Sequence, residues 1–311
     1  MTRVVRFHQI GGPEVLQIEE LEVGAPGSGE LRIRVEAIGL NRAEAMFRSG
    51  VYLEPTHLPA RLGEAVSVIP AFSMNKFGVY AEQAIVPATG VLKRPAGVGA
   101  VKGAAIWMQY LTAYGALIEI AQLKRGDAVI ITAASSSVGL AAIQIANSVG
   151  AIPIATTRTR AKEAALREAG AAHVIANEEQ DLVAEVMRIT DGRGARIAFD
   201  PVAGPQVETL AQAMSQQGLL FIYGNLSGQE TPFPALAAMN KALSVRGYTL
   251  FELTGDPQRL APAQAFITRG LEAGQLKPII AKTFPFEQIV EAHRYMESNQ
   301  QFGKIVVTVS R

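Results

Sequence analysis

The chain contains no cysteine. That excludes disulfides, thiolate metal ligands and a cysteine nucleophile, and it fits a reducing compartment, so a cytoplasmic protein is expected. Histidine is scarce too. His8, His57, His173 and His293 are the four present, too scattered for a metal-ligand spacing, and each is expected at the surface or in a loop. No apolar run approaches the ~20 residues of a membrane span, and the start Met1-Thr2-Arg3-Val4-Val5-Arg6-Phe7 lacks the apolar core of a signal peptide. Strong charge of either sign is absent: the formal net charge is +1 with acids and bases interspersed, which removes any electrostatic case for nucleic acid or a membrane surface.

What remains is a composition suited to tight turns and buried strands. With 311 residues, 49% of them hydrophobic, and 29 glycines, the chain fits a two-domain α/β protein. Short alternating segments dominate up to about Pro95, among them Arg3 to Phe7, Leu16 to Glu22 and Leu31 to Ala37, the last reading as one half-buried strand. Gly11-Gly12-Pro13, the Gly24 to Gly29 run and Pro95-Ala96-Gly97 read as turns. From Ala104 the period lengthens. A helix is expected around Ile106 to Gln122, then strands and helices alternate in βαβ order, the pattern of a doubly wound parallel sheet. Its expected elements include a helix at Leu182 to Thr190, a strand at Ala195 to Pro201 with Asp200 at its carboxyl end, and a strand at Gly218 to Gly224. Beyond the sheet, Pro262 to Ala273 reads as a helix with proline in its first turn, followed by a helix from Phe286 to Met296 and a strand from Lys304 to Val309.

The richest stretch runs from Asp127 to Lys162. Ala128 to Thr132 form an apolar, β-branched run suited to a fully buried strand, and Leu140, Ile143, Ala146 and Val149 recur at helical spacing. Between them Ala134, Ser135, Ser136, Ser137, Val138 and Gly139 form a turn of small residues, where a pyrophosphate can approach backbone amides at the positive end of a helix. The glycine fingerprint of dinucleotide sites falls on positions 134, 136 and 139, and only Gly139 keeps its glycine. An ordinary strand-turn-helix unit is the alternative. About 20 residues on, a NAD-preferring protein places an acid on the ribose hydroxyls. Here Thr157, Arg158, Thr159 and Lys162 stand instead, hydroxyls and cations suited to a 2′-phosphate, so the expected cofactor is NADPH; solvated surface charges are the other reading. Tyr223, Gly224 and Asn225 lie at a strand's carboxyl end, where this fold lines its cofactor cleft.

The order of these features resembles the medium-chain dehydrogenase/reductase superfamily. A β-rich first part, the serine-rich turn, Phe199-Asp200-Pro201-Val202-Ala203-Gly204, Leu276-Lys277-Pro278 and Gly303-Lys304-Ile305-Val306 carry the likeness across essentially the whole chain. Within the superfamily it is similar to the zinc-independent, zeta-crystallin-like quinone oxidoreductase branch. The resemblance implies a GroES-like β-barrel catalytic domain from 1–108 and 251–311, with a Rossmann domain from 109–250 between. Zinc-bearing relatives place a cysteine where this chain has Asn41, and a four-cysteine lobe is impossible here, so no metal is expected.

The implied chemistry is hydride transfer from NADPH to a quinone or an activated alkene or carbonyl, without metal. By the same resemblance Asn41 faces the nicotinamide and the acceptor, Tyr52 lies in the quinone pocket, Thr112 approaches the nicotinamide, and Phe302 and Lys304 reach the cofactor. Plainer roles stand beside these: a turn-capping Asn41, a structural Tyr52, a helix-capping Thr112, a strand-start Lys304, and a Glu44–Arg48 ion pair ordering the loop between them. Relative to the family pattern the chain is shortened after Gly63, by about 20 to 30 residues or a hairpin's worth of barrel. A deletion there would open the barrel beside the substrate cleft, so an NADPH-binding protein with little catalysis, a redox reporter or scaffold, is the alternative function. The run Lys241 to Leu250 reads as an edge strand; in the family the matching strand pairs across a two-fold axis, which implies a homodimer, while Lys241 and Arg246 could equally blunt the edge of a monomer.

Overall fold

The computed structural model describes residues 1–58, 60–61, 68–69, 71–92, 94 and 97–309. The chain divides into two compact units, one made of Met1–Met108 with Pro278–Arg311, the other of Gln109–Lys277.

The second unit is a sheet buried on both faces. Six parallel strands, β1 (Ala128–Ile131), β2 (Ile152–Thr157), β3 (His173–Ala176), β4 (Ala195–Asp200), β5 (Met214–Ile222) and β6 (Ser244–Gly247), lie in the order β6-β5-β4-β1-β2-β3. All four residues of β1 are buried, which is why the sequence there is continuously apolar rather than alternating. Helices Ser137–Ser148, Glu163–Glu168, Leu182–Ile189 and Gln206–Ala213 connect the strands. This strand order is that of dinucleotide-binding Rossmann sheets. The order of connection reverses between β1 and β4, the point at which sheets of this kind bind ligands beyond the strands' carboxyl ends. Asp200 staples that point: it accepts the hydroxyl of Thr132, the backbone N–H of Val202 (3.1 Å) and Ala203 (2.8 Å), and the Gln206 amide (2.8 Å). Burial pushes its carboxyl upward while these donors pull the other way.

The unit runs on to Lys277, so residues 251–277, which the sequence reading placed with the barrel, pack with the parallel sheet's unit. The reason lies in the helix there. It spans Pro257–Glu272, starting earlier than the expected Pro262: Asp256 caps it by accepting the Gln258 N–H at 2.8 Å, Pro257 takes the first turn, and Pro262 sits inside. Its Arg259 then reaches back to Glu119 within the same unit.

In the first unit, Thr2–Phe7 pairs antiparallel with Gln17–Leu21 and Ala60–Arg61. The alternating run expected as one strand from Leu31 to Ala37 is two. Glu30–Arg34 pairs with Gln83–Pro87, whereas Ala37–Gly39 pairs with Lys304–Thr308, which in turn lies parallel to Ile280–Pro285. Alternation stops because Ala37, Ile38 and Gly39 are all buried. Phe7, Ile38, Phe47, Val86, Phe286 and Ile289 share one core, with Phe7 and Phe47 edge to face at 6.1 Å. The first and last segments of the chain therefore build one hydrophobic interior.

Among the described residues no helix is long and apolar enough to cross a membrane. The shortening expected after Gly63 lies outside the described residues. Removing the Asp256 cap in Asp256→Ala is expected to cost about 0.5–2 kcal/mol, read as a lower urea midpoint with unchanged slope; an unchanged midpoint refutes the capping role.

Candidate functional site

Each unit carries one group of the residues singled out by the sequence. In the second unit, β1 ends at the small-residue turn. Ala133 is left-handed at φ 46°, a conformation that ordinarily favours glycine, and Ser136 then caps the helix Ser137–Ser148 by accepting the Gly139 N–H at 3.1 Å. Gly139 is fixed by steric necessity: a Cβ there would lie 2.7 Å from both Cα and O of Ala134 and 2.8 Å from the carbonyl of Ala133. The helix thus presses its first turn against the strand end. Ala134 is fully buried and Ser135, Ser137 and Val138 are half-buried around the helix N-terminus.

The far side of this turn is basic. Lys162 donates to the Ser135 hydroxyl at 3.2 Å, and its ammonium lies close enough to Arg158 to be repelled by it. Burial, and then that repulsion, hold the lysine below its ordinary range. Arg160, by contrast, pairs with Glu179 at 3.1 Å and Glu163 at 3.8 Å. Among the described residues Arg158 has no carboxylate within ion-pair distance. Thr157 closes β2, so the structure brings Ser135, Thr157, Arg158 and Lys162 to one end of the sheet.

Tyr223, Gly224 and Asn225 follow β5. Tyr223 stacks on Phe199 with ring centroids 4.0 Å apart, and its hydroxyl is buried without a protein partner; burial, reinforced by Asp200, pushes the phenol well above its ordinary range. Asn225 is exposed. Thr112 is buried within the helix Trp107–Tyr114.

In the first unit the decisive residues converge more tightly. Asn41 opens the helix Arg42–Arg48, and Glu44 reaches back so that its Oε2 accepts the Asn41 backbone N–H at 2.7 Å. The Asn41 amide gives its Nδ2 hydrogens to Glu44 Oε1 (2.8 Å) and to the Gly39 carbonyl (3.1 Å), and its Oδ1 accepts from the Lys304 ammonium. Glu44 and Lys304 are each only 1% exposed. Tyr52 packs edge to face on Phe47 at 6.4 Å, and Phe302 is half-buried just before Lys304.

Two expectations need correction. Glu44 does not pair with Arg48, because that arginine turns to the Gly11 carbonyl, the His293 ring (2.9 Å) and Glu297. Nor is His293 a surface or loop residue. It is fully buried in the helix Ile289–Glu297, where burial, with Arg48 and Arg42 nearby, depresses it to about 3 and keeps it neutral. Glu44 itself was read only as a loop-ordering charge; the signal that pointed to more was its place three residues after Asn41, the spacing of a helix-capping acid.

A model described as zinc-binding dehydrogenase matches residues 137–268. Human quinone oxidoreductase is 32% identical over 327 positions, covering 99% of this chain and 98% of that protein. The chain belongs to the quinone oxidoreductase family. It is an enzyme of that type. A Burkholderia 2-haloacrylate reductase is 27% identical, covering 99% of each chain. The crystal structure of Escherichia coli quinone oxidoreductase complexed with NADPH superposes with a TM-score of 0.90 at 28% identity, covering 98% of this chain and 99% of that one. The alignment with the human family member has more positions than this chain has residues, so internal residues of that relative have no counterpart here. Although the matching model is named for zinc, no three His, Asp or Glu side chains among the described residues gather as a metal-ligand group.

Burial pushes the Glu44 carboxyl up to about 7, with its Asn41 bonds and the Lys304 charge acting in the opposite direction. A folded-state value above the unfolded one means that folding takes up a proton. Its contribution to stability is complete below the unfolded value of about 4.3 and is lost as pH rises through about 7. Relative to Glu44→Gln, the native chain should lose up to about 3 kcal/mol between pH 4 and pH 8. Parallel urea-midpoint curves for the two proteins across that range would refute the assignment.

Proposed function

We propose that this enzyme is an NADPH-dependent reductase of quinones or activated alkenes and carbonyls that works without a bound metal. The observation that carries the cofactor choice is the bond from Lys162 to Ser135 beside Arg158, an arginine that has no carboxylate within ion-pair distance among the described residues. Such a cradle suits a 2′-phosphate, whereas a ribose hydroxyl would call for an acid. The NADPH complex of the similar E. coli enzyme supports the same choice.

NADPH, when bound, supplies the hydride. The chain's residues supply place and polarity. Ala134, Ser135, Ser136, Ser137, Val138 and Gly139 would hold the pyrophosphate on the helix N-terminus, with Thr157, Arg158 and Lys162 on the 2′-phosphate. Tyr223, Gly224 and Asn225 would line the same cofactor, with Thr112, Phe302 and Lys304 toward its nicotinamide end. Asn41 and Tyr52 are proposed to face the acceptor, where polar groups orient a carbonyl as negative charge develops on its oxygen. The acceptor class follows the relatives, which are named for quinones and for a haloacrylate.

We further propose a homodimer. Strand β6 lies at one edge of the sheet, and the helix before it, Ala235–Lys241, leaves Leu236 and Met239 more than 70% exposed. A second copy pairing along β6 would cover both the edge and this apolar face. Sedimentation equilibrium at micromolar concentration should give twice the chain mass; a single-chain mass refutes the pairing.

Steady oxidation of NADPH by a small quinone tests the activity. If NADPH raises the melting temperature while no quinone, enone or aldehyde is reduced, the reductase reading is wrong for this chain. Arg158→Ala should weaken NADPH binding by about 1.5–3 kcal/mol and leave NADH binding nearly unchanged. Equal losses for both cofactors refute the 2′-phosphate assignment.

A further inference from the structure

The amide of Asn41, in the first unit, is bonded at both of its ends. Carboxamides can turn end over end at little cost where water serves both ends alike. Here the two ends face opposite demands. The NH2 side meets two acceptors, Glu44 Oε1 at 2.8 Å and the Gly39 carbonyl at 3.1 Å, while the oxygen side meets the Lys304 ammonium. A reversed amide would set N–H against ammonium and oxygen against carboxylate, so one orientation is enforced.

Glu44 is chemically suited to that task. Asn41 presents two donors to it, the backbone N–H at 2.7 Å and the side-chain N–H at 2.8 Å, and a carboxylate answers both with its two oxygens. A glutamine has one oxygen and would turn its own N–H against the other donor. The surroundings are built for the same arrangement. A Cβ at Gly39 would lie 2.8 Å from Lys304 Cε and 2.1 Å from the Ala104 carbonyl, so glycine leaves the channel through which the lysine stem reaches Asn41.

The other charged groups nearby are committed elsewhere. On the same helix Arg42 bonds the Met296 carbonyl (2.6 Å) and Asn299, and Arg48 bonds Gly11, His293 and Glu297. His293, on the helix Ile289–Glu297, is neutral, and Glu297 is the partner of Arg48. From the strand Lys304–Thr308, Lys304 is the cation whose charge acts on Glu44.

We propose that Glu44 is a positioning residue for the reaction: with Lys304 opposite, its carboxylate locks the Asn41 amide in one orientation, and hydride transfer to the acceptor depends on that lock. This rests on the reading of Asn41 as a residue facing the acceptor. When Glu44 is protonated, the oxygen that carries the proton becomes a donor and a much poorer acceptor, so its bond from Asn41 weakens. The lock is therefore closed above neutral pH and opens as the solution turns acid.

The test uses the full-length enzyme with NADPH and 1,4-benzoquinone. For the native chain kcat should rise with pH through about 7 to a plateau. Glu44→Gln should lower the plateau kcat at least tenfold, flatten that profile and leave the NADPH dissociation constant within twofold. In parallel, the side-chain amide of Asn41 is followed by 15N NMR, assigned by its loss in Asn41→Asp. Its shift should move with pH through the same midpoint in the native protein and be displaced and pH-independent in Glu44→Gln. An Asn41 resonance that ignores both pH and the substitution overturns the lock; one that moves while kcat and its profile stay native overturns its part in catalysis. If Glu44→Gln does not fold, the native titration alone decides. Absence of quinone turnover by the native chain removes the reductase reading, and the amide shift then still decides whether Glu44 holds Asn41.

Discussion

A helix pressed against the end of a strand governs the nucleotide-type unit. Because a Cβ at position 139 would stand 2.7 Å from the Ala134 backbone, the helix Ser137–Ser148 can dock only through a glycine, and the turn before it must be made of small residues. From that contact follow the capping bond of Ser136, the left-handed Ala133 and the approach of Lys162 to Ser135. The turn keeps one glycine of a three-glycine pattern, and it keeps the one for which no methyl fits. Alanine and serine elsewhere in it cost at most local backbone strain, of order 1 kcal/mol for a residue such as Ala133.

How much of this was legible along the sequence depends on how far apart the interacting residues lie. Strand β1, the turn after it, the helix Ser137–Ser148 and the basic end of β2 all fall within about 35 consecutive residues, where periodicity and turn chemistry act locally and can be read directly. The first unit is different. Asn41 is bonded to Lys304 across 263 positions, and the charge of that lysine acts on Glu44; no local pattern announces such a meeting. Local reasoning offered Glu44 instead an ion pair with Arg48 that would order the loop between them. Burial decided otherwise: Arg48 found the buried His293 and the half-buried Glu297, and Glu44 was left to Asn41, with the Lys304 charge nearby. The same blindness explains the split of the Leu31 to Ala37 run, where partners far along the chain determine which strand each half joins.

The two candidate halves hold charge in opposite ways. At the end of β2, Arg158 has no carboxylate within ion-pair distance among the described residues, so its charge is left to be met from outside. Around Asn41 a buried cation and a buried acid are both satisfied internally, through one amide placed between them. The first arrangement suits binding, and the second suits orientation. A buried carboxylate kept near neutrality works against stability at high pH, a cost that natural sites commonly carry where function requires it.

The strand Lys304–Thr308 carries a consequence for how the molecule is made. It completes a sheet begun by Ala37–Gly39, and the helix before it inserts His293 beside Arg48 near the start of the chain. On the ribosome the parallel-sheet unit is synthesised as one uninterrupted stretch and can fold while the chain is still attached. The other unit must wait. Its opening segment of about a hundred residues stays without that strand and its lysine until the whole parallel-sheet unit has been made, so the Asn41 arrangement forms only after that unit has been synthesised.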